Sequence, residues 1–283
     1  MSKYNFRASQ FQTYAVENST IDTDSSKPIY IFWTGGWDSS FRILQLSSKD
    51  VVIQPIYLDG NRTSANNELS AIDIIGNLIG KLKTTRCTIL DLMIINTDEV
   101  DSDAVITKAY KALLEKKFMG SQYDWLARFA KEYNEIELCI HKDDKAHEVI
   151  ETFGADKKIT DEYKGDYYIV DRSESSNDLV DVFGNYHFPL LQMTKLEMKK
   201  EAELNGFIDI LNQSWFCFSP INGKPCGLCN PCVYSIEEGM KHRFSKAALL
   251  RYKTRGLRKL ISITLEKLYL LDFAKKIRDK LFR

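Results

Sequence analysis

Thr34-Gly35-Gly36-Trp37-Asp38-Ser39-Ser40 follows an apolar run, Pro28 to Trp33, and precedes Phe41-Arg42-Ile43-Leu44-Gln45-Leu46, which reads as a helix. Two adjacent glycines let a strand turn tightly into a helix, so that several backbone N–H groups converge on one anion at the helix start. Thr34, Ser39 and Ser40 add hydroxyl donors. Asp38 is a poor neighbour for phosphate on its own, yet it suits a site where magnesium bridges carboxylate and phosphate. The loop lacks the lysine of GxxxxGK[ST] and does not follow GxGxxG. Without further context it could be only a tight strand-to-helix connection.

The second set of reactive residues lies near the other end. Cys217 is followed by Cys226, Cys229 and Cys232, with Pro220, Gly223, Pro225, Gly227 and Pro231 between them to supply turns. Four thiolates at this spacing suit a tetrahedral Zn2+ site, closed and therefore architectural. The run from Cys226 to Cys232 also matches the start of ferredoxin spacing, so an iron–sulfur cluster is the competing reading. Cys87 and Cys139 sit singly in apolar runs.

The elements that must position these residues alternate. Ile29 to Trp33, Val51 to Leu58, Cys87 to Ile95 and Ile136 to Ile140 read as strands; 39–47, 66–82, 103–118 and 121–133 read as helices. That alternation predicts an α/β fold on a parallel, Rossmann-like sheet, with ligands gathering beyond the strand C-termini. Three strand ends then share a crevice: Thr34 to Ser40, Asp59-Gly60-Asn61-Arg62, and His141-Lys142-Asp143-Asp144. A histidine at a strand end is more often an ordinary hydrogen-bonded residue than a catalyst. Residues 151–186, charged and irregular, read as loops or short strands. Thr194 and Glu197 have capping-box spacing, heading a helix that ends near Asn205-Gly206.

The chain has 283 residues, 44% of them hydrophobic, enough for one large or two modest domains with a packed core. The order expected is an extension over 1–27, an α/β domain over 28–206, a zinc knuckle over 207–240, and a basic amphipathic helical tail over 241–283. A net charge of zero conceals 14 Lys/Arg against 3 Asp/Glu in that tail, leaving 25 against 36 in the body. The tail would fold onto the acidic body, pack across a homodimer, or serve an anionic partner. No apolar segment approaches a membrane span and the N-terminus lacks a secretory core, so a cytoplasmic location is expected.

TGGWDSS resembles the SGGxDS signature of the PP-loop ATP pyrophosphatases, with Thr34 in place of the first serine. Combined with Cys217-Phe218-Ser219-Pro220, Cys226-Gly227-Leu228-Cys229-Asn230-Pro231-Cys232, Pro189-Leu190, Thr194-Lys195 and Asn205-Gly206, the chain over roughly 28–240 is similar to the 7-cyano-7-deazaguanine synthases, the QueC family. The resemblance implies an adenine nucleotide alpha hydrolase-like fold and an ATP- and Mg2+-dependent ligase. Such an enzyme adenylates the carboxylate of a deazapurine, and ammonia then gives an amide and finally a nitrile. It implies ATP contacts from Thr34, Gly35, Gly36, Asp38, Ser39, Ser40, Asp59, Gly60 and Arg62, catalytic roles for Asp38 and Lys195, and zinc on the four cysteines.

Two departures bear on the substrate. Gly120-Ser121-Gln122 stands where the family has an Arg-Asn segment, and its Tyr-Pro-Asp-Cys-Arg run has no counterpart. Alternative functions are therefore a QueC-like enzyme of a modification or antiviral defence system, with a protein or nucleic-acid acceptor, and a non-catalytic module that binds nucleic acid or a partner through its tail.

Overall fold

The computed structural model describes residues 27–133, 135–257 and 278. Residues 1–26 of the expected extension over 1–27, and most of the tail helix, 258–277 and 279–283, lie outside the described residues. The chain divides into two units, one ending at Trp215 and the other starting at Phe216.

The first unit is built on β1 (Ile29–Phe32), β2 (Val52–Asp59), β3 (Thr88–Ile89), β4 (Met93–Asn96), β5 (Ile136–Glu137) and β8 (Tyr186–His187). All pair in parallel, in the order β3-β2-β1-β5-β8, with β4 also on β2. Every strand therefore points its C-terminal end at the same sheet edge. Side-chain alternation divides the sheet into two faces. Phe32, Ile56, Leu58, Ile136, Leu138 and Ile140 enter one core with α3 (Ala104–Lys116), α4 (Gln122–Ala130), α5 (Lys145–Phe153) and α6 (Asn177–Phe183). A second helix group, α1 (Trp37–Ser47), α2 (Ala65–Ile79), α7 (Lys195–Leu204) and α8 (Ile208–Leu211), packs together.

The run from Cys87 to Ile95, expected as one strand, forms two. The Ile53 carbonyl accepts the Leu90 N–H while the Ile56 carbonyl accepts the Trp33 N–H, so alternation turns the backbone of Pro55 toward β3 and β4. Proline has no N–H to offer there, and the ladder breaks opposite it. Gln54 fills the gap with its side-chain amide on the Asp91 carbonyl at 2.9 Å.

The charged stretch after 151 is more ordered than its composition suggests. β6 (Asp156–Ile159) and β7 (Tyr167–Val170) form an antiparallel pair, and α6 follows. Ser176 caps α6 by accepting the Leu179 N–H, and Leu179, Val182 and Phe183 bury one face. The capping box of α7 forms in both directions between Thr194 and Glu197.

The second unit holds the cysteines, α9 (Asn230–Glu237) and α10 (Lys246–Lys253). Gly227 takes φ +77°, and a Cβ there would lie 2.3 Å from the Ala248 carbonyl, so only glycine lets the knuckle meet α10. Arg251 Nε donates to the Cys226 carbonyl at 2.7 Å and holds the same contact. Among the described residues no helix is long and apolar enough to cross a membrane.

Candidate functional site

The glycine loop leaves β1 at the sheet's C-terminal edge and becomes α1. Gly35 takes φ +67°, where a Cβ would stand 2.5 Å from the Glu68 carbonyl and 3.2 Å from Ala71 Cβ. α2 thus presses on the loop at a distance only glycine tolerates. The Gly35 carbonyl accepts the Trp215 N–H at 2.7 Å, fixing the turn from its other side. Gly36 is the extended N-cap of α1, and the first helical bond runs from the Ser40 N–H to the Gly36 carbonyl. The amides ahead of that bond point out of the positive helix end.

The hydroxyls and the carboxylate divide into two kinds. Ser40 is wholly buried and its Oγ accepts the Trp33 indole N–H at 3.0 Å, tying the helix start to the core. Thr34 is exposed and its Oγ1 takes a long hydrogen bond from the Gly36 N–H. Asp38 Oδ1 and Ser39 Oγ are buried atoms with no hydrogen-bond partner among the described residues. Buried oxygens at a helix start are normally satisfied, so this pair suits a cation or a polar ligand group.

His141, 5% exposed, closes on Asp38. Its Nδ1 accepts the Asp143 N–H at 3.1 Å, which leaves the proton on Nε2, and Nε2 stands 3.9 Å from Asp38 Oδ2. Asp143 Oδ2 in turn accepts the Lys195 N–H at 3.2 Å, and the Lys142 N–H donates to the Met193 carbonyl at 2.9 Å. Lys195 opens α7 and is brought beside the His141 segment. No local signal says that β5 lies next to β1, and that pairing carries His141 to the loop.

The second strand end makes contacts of its own. Asp59 Oδ1 accepts the Asn61 N–H at 2.9 Å, and Gly60 faces Thr97. Arg62 Nη2 is held by Glu68 Oε2 at 2.8 Å and by the Tyr57 hydroxyl at 3.3 Å, while Ser64 Oγ donates to Glu68 Oε1 at 2.6 Å. Burial and the Glu68 carboxylate push the Tyr57 phenol well up, so it stays a donor. Glu68 is the residue whose carbonyl confronts Gly35. Arg62 therefore braces the start of α2 against the loop.

An internal ion pair ties the two halves of the site. Alternation along β5 turns Glu137 away from the Ile136 core and toward α1, where Arg42 meets it through Nε at 2.8 Å and Nη2 at 2.7 Å. Both side chains are at most 4% exposed. Burial opposes the Arg42 charge, but Glu137 outweighs it and the guanidinium pKa stands above its ordinary value.

In the second unit the four cysteine sulfurs lie within 4.8 Å of one another. Cys226 and Cys232 Sγ are 3.8 Å apart, Cys217 and Cys229 Sγ 3.9 Å. Tetrahedral sulfurs bonded at about 2.3 Å to one ion stand about 3.8 Å apart. Backbone N–H groups of Leu228 and Cys229 both donate to Cys226 Sγ at 3.3 Å, and that of Cys226 to Cys217 Sγ at 3.2 Å, as suits charged sulfur. Thiol contacts from Cys217 and Cys232 hold Cys229 far below its ordinary pKa; the contact with Cys229 pushes Cys217 up to about 11, and contacts with Cys217 and Cys229 drive Cys232 higher still. Four thiolates this close repel one another and need a cation. The cluster could hold a metal ion such as zinc.

No protein-family model matches the chain, and a comparison with curated proteins finds no matching relative.

Proposed function

We propose that the chain is an ATP-dependent carbon–nitrogen ligase of the 7-cyano-7-deazaguanine synthase type, with a PP-loop domain and a zinc knuckle. The observation that carries the reading is the pair of unpartnered buried oxygens, Asp38 Oδ1 and Ser39 Oγ, at the start of α1 beside a glycine turn that admits no side chain. ATP is the substrate, cleaved at the α-phosphate by a carboxylate so that pyrophosphate leaves. The amides at the end of α1 receive its charge. Asp38 Oδ1 is the ligand this chain would offer a magnesium ion, which would supply further countercharge to the phosphates. His141 Nε2–H faces the other Asp38 oxygen and restrains the carboxylate. Lys195, by the resemblance, adds positive charge for phosphate. The carboxylate assigned is 7-carboxy-7-deazaguanine, with ammonia as the nitrogen donor.

Zinc is the metal favoured for the cysteines, because sulfurs at 3.8–3.9 Å suit one tetrahedral ion. A multi-iron cluster carries its cysteines on different irons and spreads them further. The knuckle's role is then architectural.

Incubation with ATP, magnesium, ammonium and 7-carboxy-7-deazaguanine should yield AMP, pyrophosphate and the amide or nitrile by mass. ADP and phosphate alone would end this reading. AMP without either small product would move the acceptor to a protein or nucleic acid.

A further inference from the structure

A cavity of about 600 Å³ opens beside the C-terminal half of α1, and none of the loop residues from Thr34 to Ser40 lines it. Arg42, Lys49, Lys158 and Lys164 reach its wall against two carboxylates, Asp166 and Glu201. These charges are unequally matched. Arg42 is held by Glu137, Lys158 Nζ pairs with Asp166 Oδ2 at 2.5 Å, and Glu201 accepts the Gln45 amide at 2.7 Å. Lys49 and Lys164 form no ion pair among the described residues. Lys164 Nζ donates instead to His187 Nδ1 at 3.1 Å and sits 4.3 Å over the Tyr167 ring. Lys49 Nζ lies against Gly165, the neighbour of Lys164, 3.7 Å from where a Cβ would stand. Burial, with Arg42, lowers the Lys164 pKa against the opposing pull of Glu137, Asp161 and Glu135.

Two such ammoniums call for an anion. A phosphate monoester carries about −1.5 to −2 at neutral pH, and lysine binds it as a point charge. Leu44, Tyr168, Pro189 and Phe207 give the same cavity an apolar wall. Its volume is that of a small-molecule site. We propose that this cavity is a second ligand site, separate from the glycine loop, that takes a small organic phosphate, its phosphoryl group on Lys49 and Lys164 and its organic part on the apolar wall.

Calorimetric titration of the full chain with phenyl phosphate, inorganic phosphate and benzoate tests this. Phenyl phosphate should bind, and more tightly than either of the others. Lys49→Gln and Lys164→Gln should each weaken it about tenfold, and Asp38→Asn in the loop should leave it unchanged. Ser48→Glu, an exposed change at the cavity rim, should weaken it through repulsion and stands in should Lys164→Gln fail to fold. The proposal falls if phenyl phosphate does not bind, if benzoate binds as well, if the lysine and Ser48 variants bind normally, or if Asp38→Asn abolishes binding. Loss of the loop's nucleotide chemistry alone would leave this site standing.

Discussion

His141 Nε2 stands 3.9 Å from Asp38 Oδ2, its other nitrogen occupied by the Asp143 N–H. The ring thus turns Nε2 to one carboxylate oxygen and leaves Oδ1 for a ligand. Asp38→Asn should lower magnesium-dependent AMP release about 10²-fold or more, and His141→Ala about tenfold, mainly in kcat. A His141→Ala enzyme with wild-type turnover would remove the histidine from the site.

Gly35→Ala places a methyl group 2.5 Å from the Glu68 carbonyl at φ +67°. The left-handed backbone alone costs on the order of 1–2 kcal/mol for a non-glycine residue, and the clash adds to it. Nucleotide binding should be lost with a lowered melting temperature. Gly206→Ala is the control, since it shares a positive φ with nothing within 4 Å. Equal effects of the two substitutions would show that only backbone strain, and not the approach of α2, matters.

Removing one partner of the Arg42–Glu137 pair leaves a buried charge alone. Glu137→Leu and Arg42→Met should each cost about 3–5 kcal/mol in urea unfolding, while the two combined should cost less than their sum. Additive losses would mean that the two groups do not act as a pair.

The cysteine cluster should retain one zinc per chain, without the visible absorption of an iron–sulfur centre. Chelation should expose Cys217, Cys226, Cys229 and Cys232 to thiol reagents. Cys87, whose thiol burial pushes up to about 12, should stay unreactive until the first unit unfolds. Full reactivity of all four cluster thiols before chelation would exclude a bound metal.

Burial, aided by Lys164, lowers the His187 pKa to about 4 from an ordinary 6.5. The unfolded chain therefore binds more protons between those values, and stability present above pH 6.5 is lost as the pH falls toward 4. The contribution is on the order of 3 kcal/mol. His187→Gln keeps an acceptor for Lys164 and should flatten this part of the stability profile; an unchanged slope would assign it to other groups.

What could be read along the chain was what local pattern encodes. β-branched runs marked β1, β2 and β5, Thr194 and Glu197 spelled out the cap of α7, and two-residue spacing kept Cys226, Cys229 and Cys232 close, with Cys217 returned to them by the Pro- and Gly-rich loop between. Apolar spacing at Leu179, Val182 and Phe183 carried α6 as well, beneath charges that obscured it. The break in the third strand was written in Pro55, but one strand away, in a residue whose effect appears only once β2 lies beside its partner.

The site divides along the same line. That Gly35 and Gly36 make a turn follows from their lack of a Cβ; that Gly35 must be glycine depends on α2, whose Glu68 carbonyl arrives from 33 residues away in sequence. Asp38 was identifiable as a carboxylate in a phosphate-type loop, whereas its pairing with His141 required β5 to take the place beside β1. Arg62 had the charge for a phosphate contact, and the fold sets its Nη2 on Glu68 while its Nε keeps no partner among the described residues. Sequence determined which groups were available, because propensity and spacing act within a few residues. Tertiary structure decided which atoms remained unpaired, because a hydrogen bond or ion pair forms only with what the sheet order brings within about 3–4 Å.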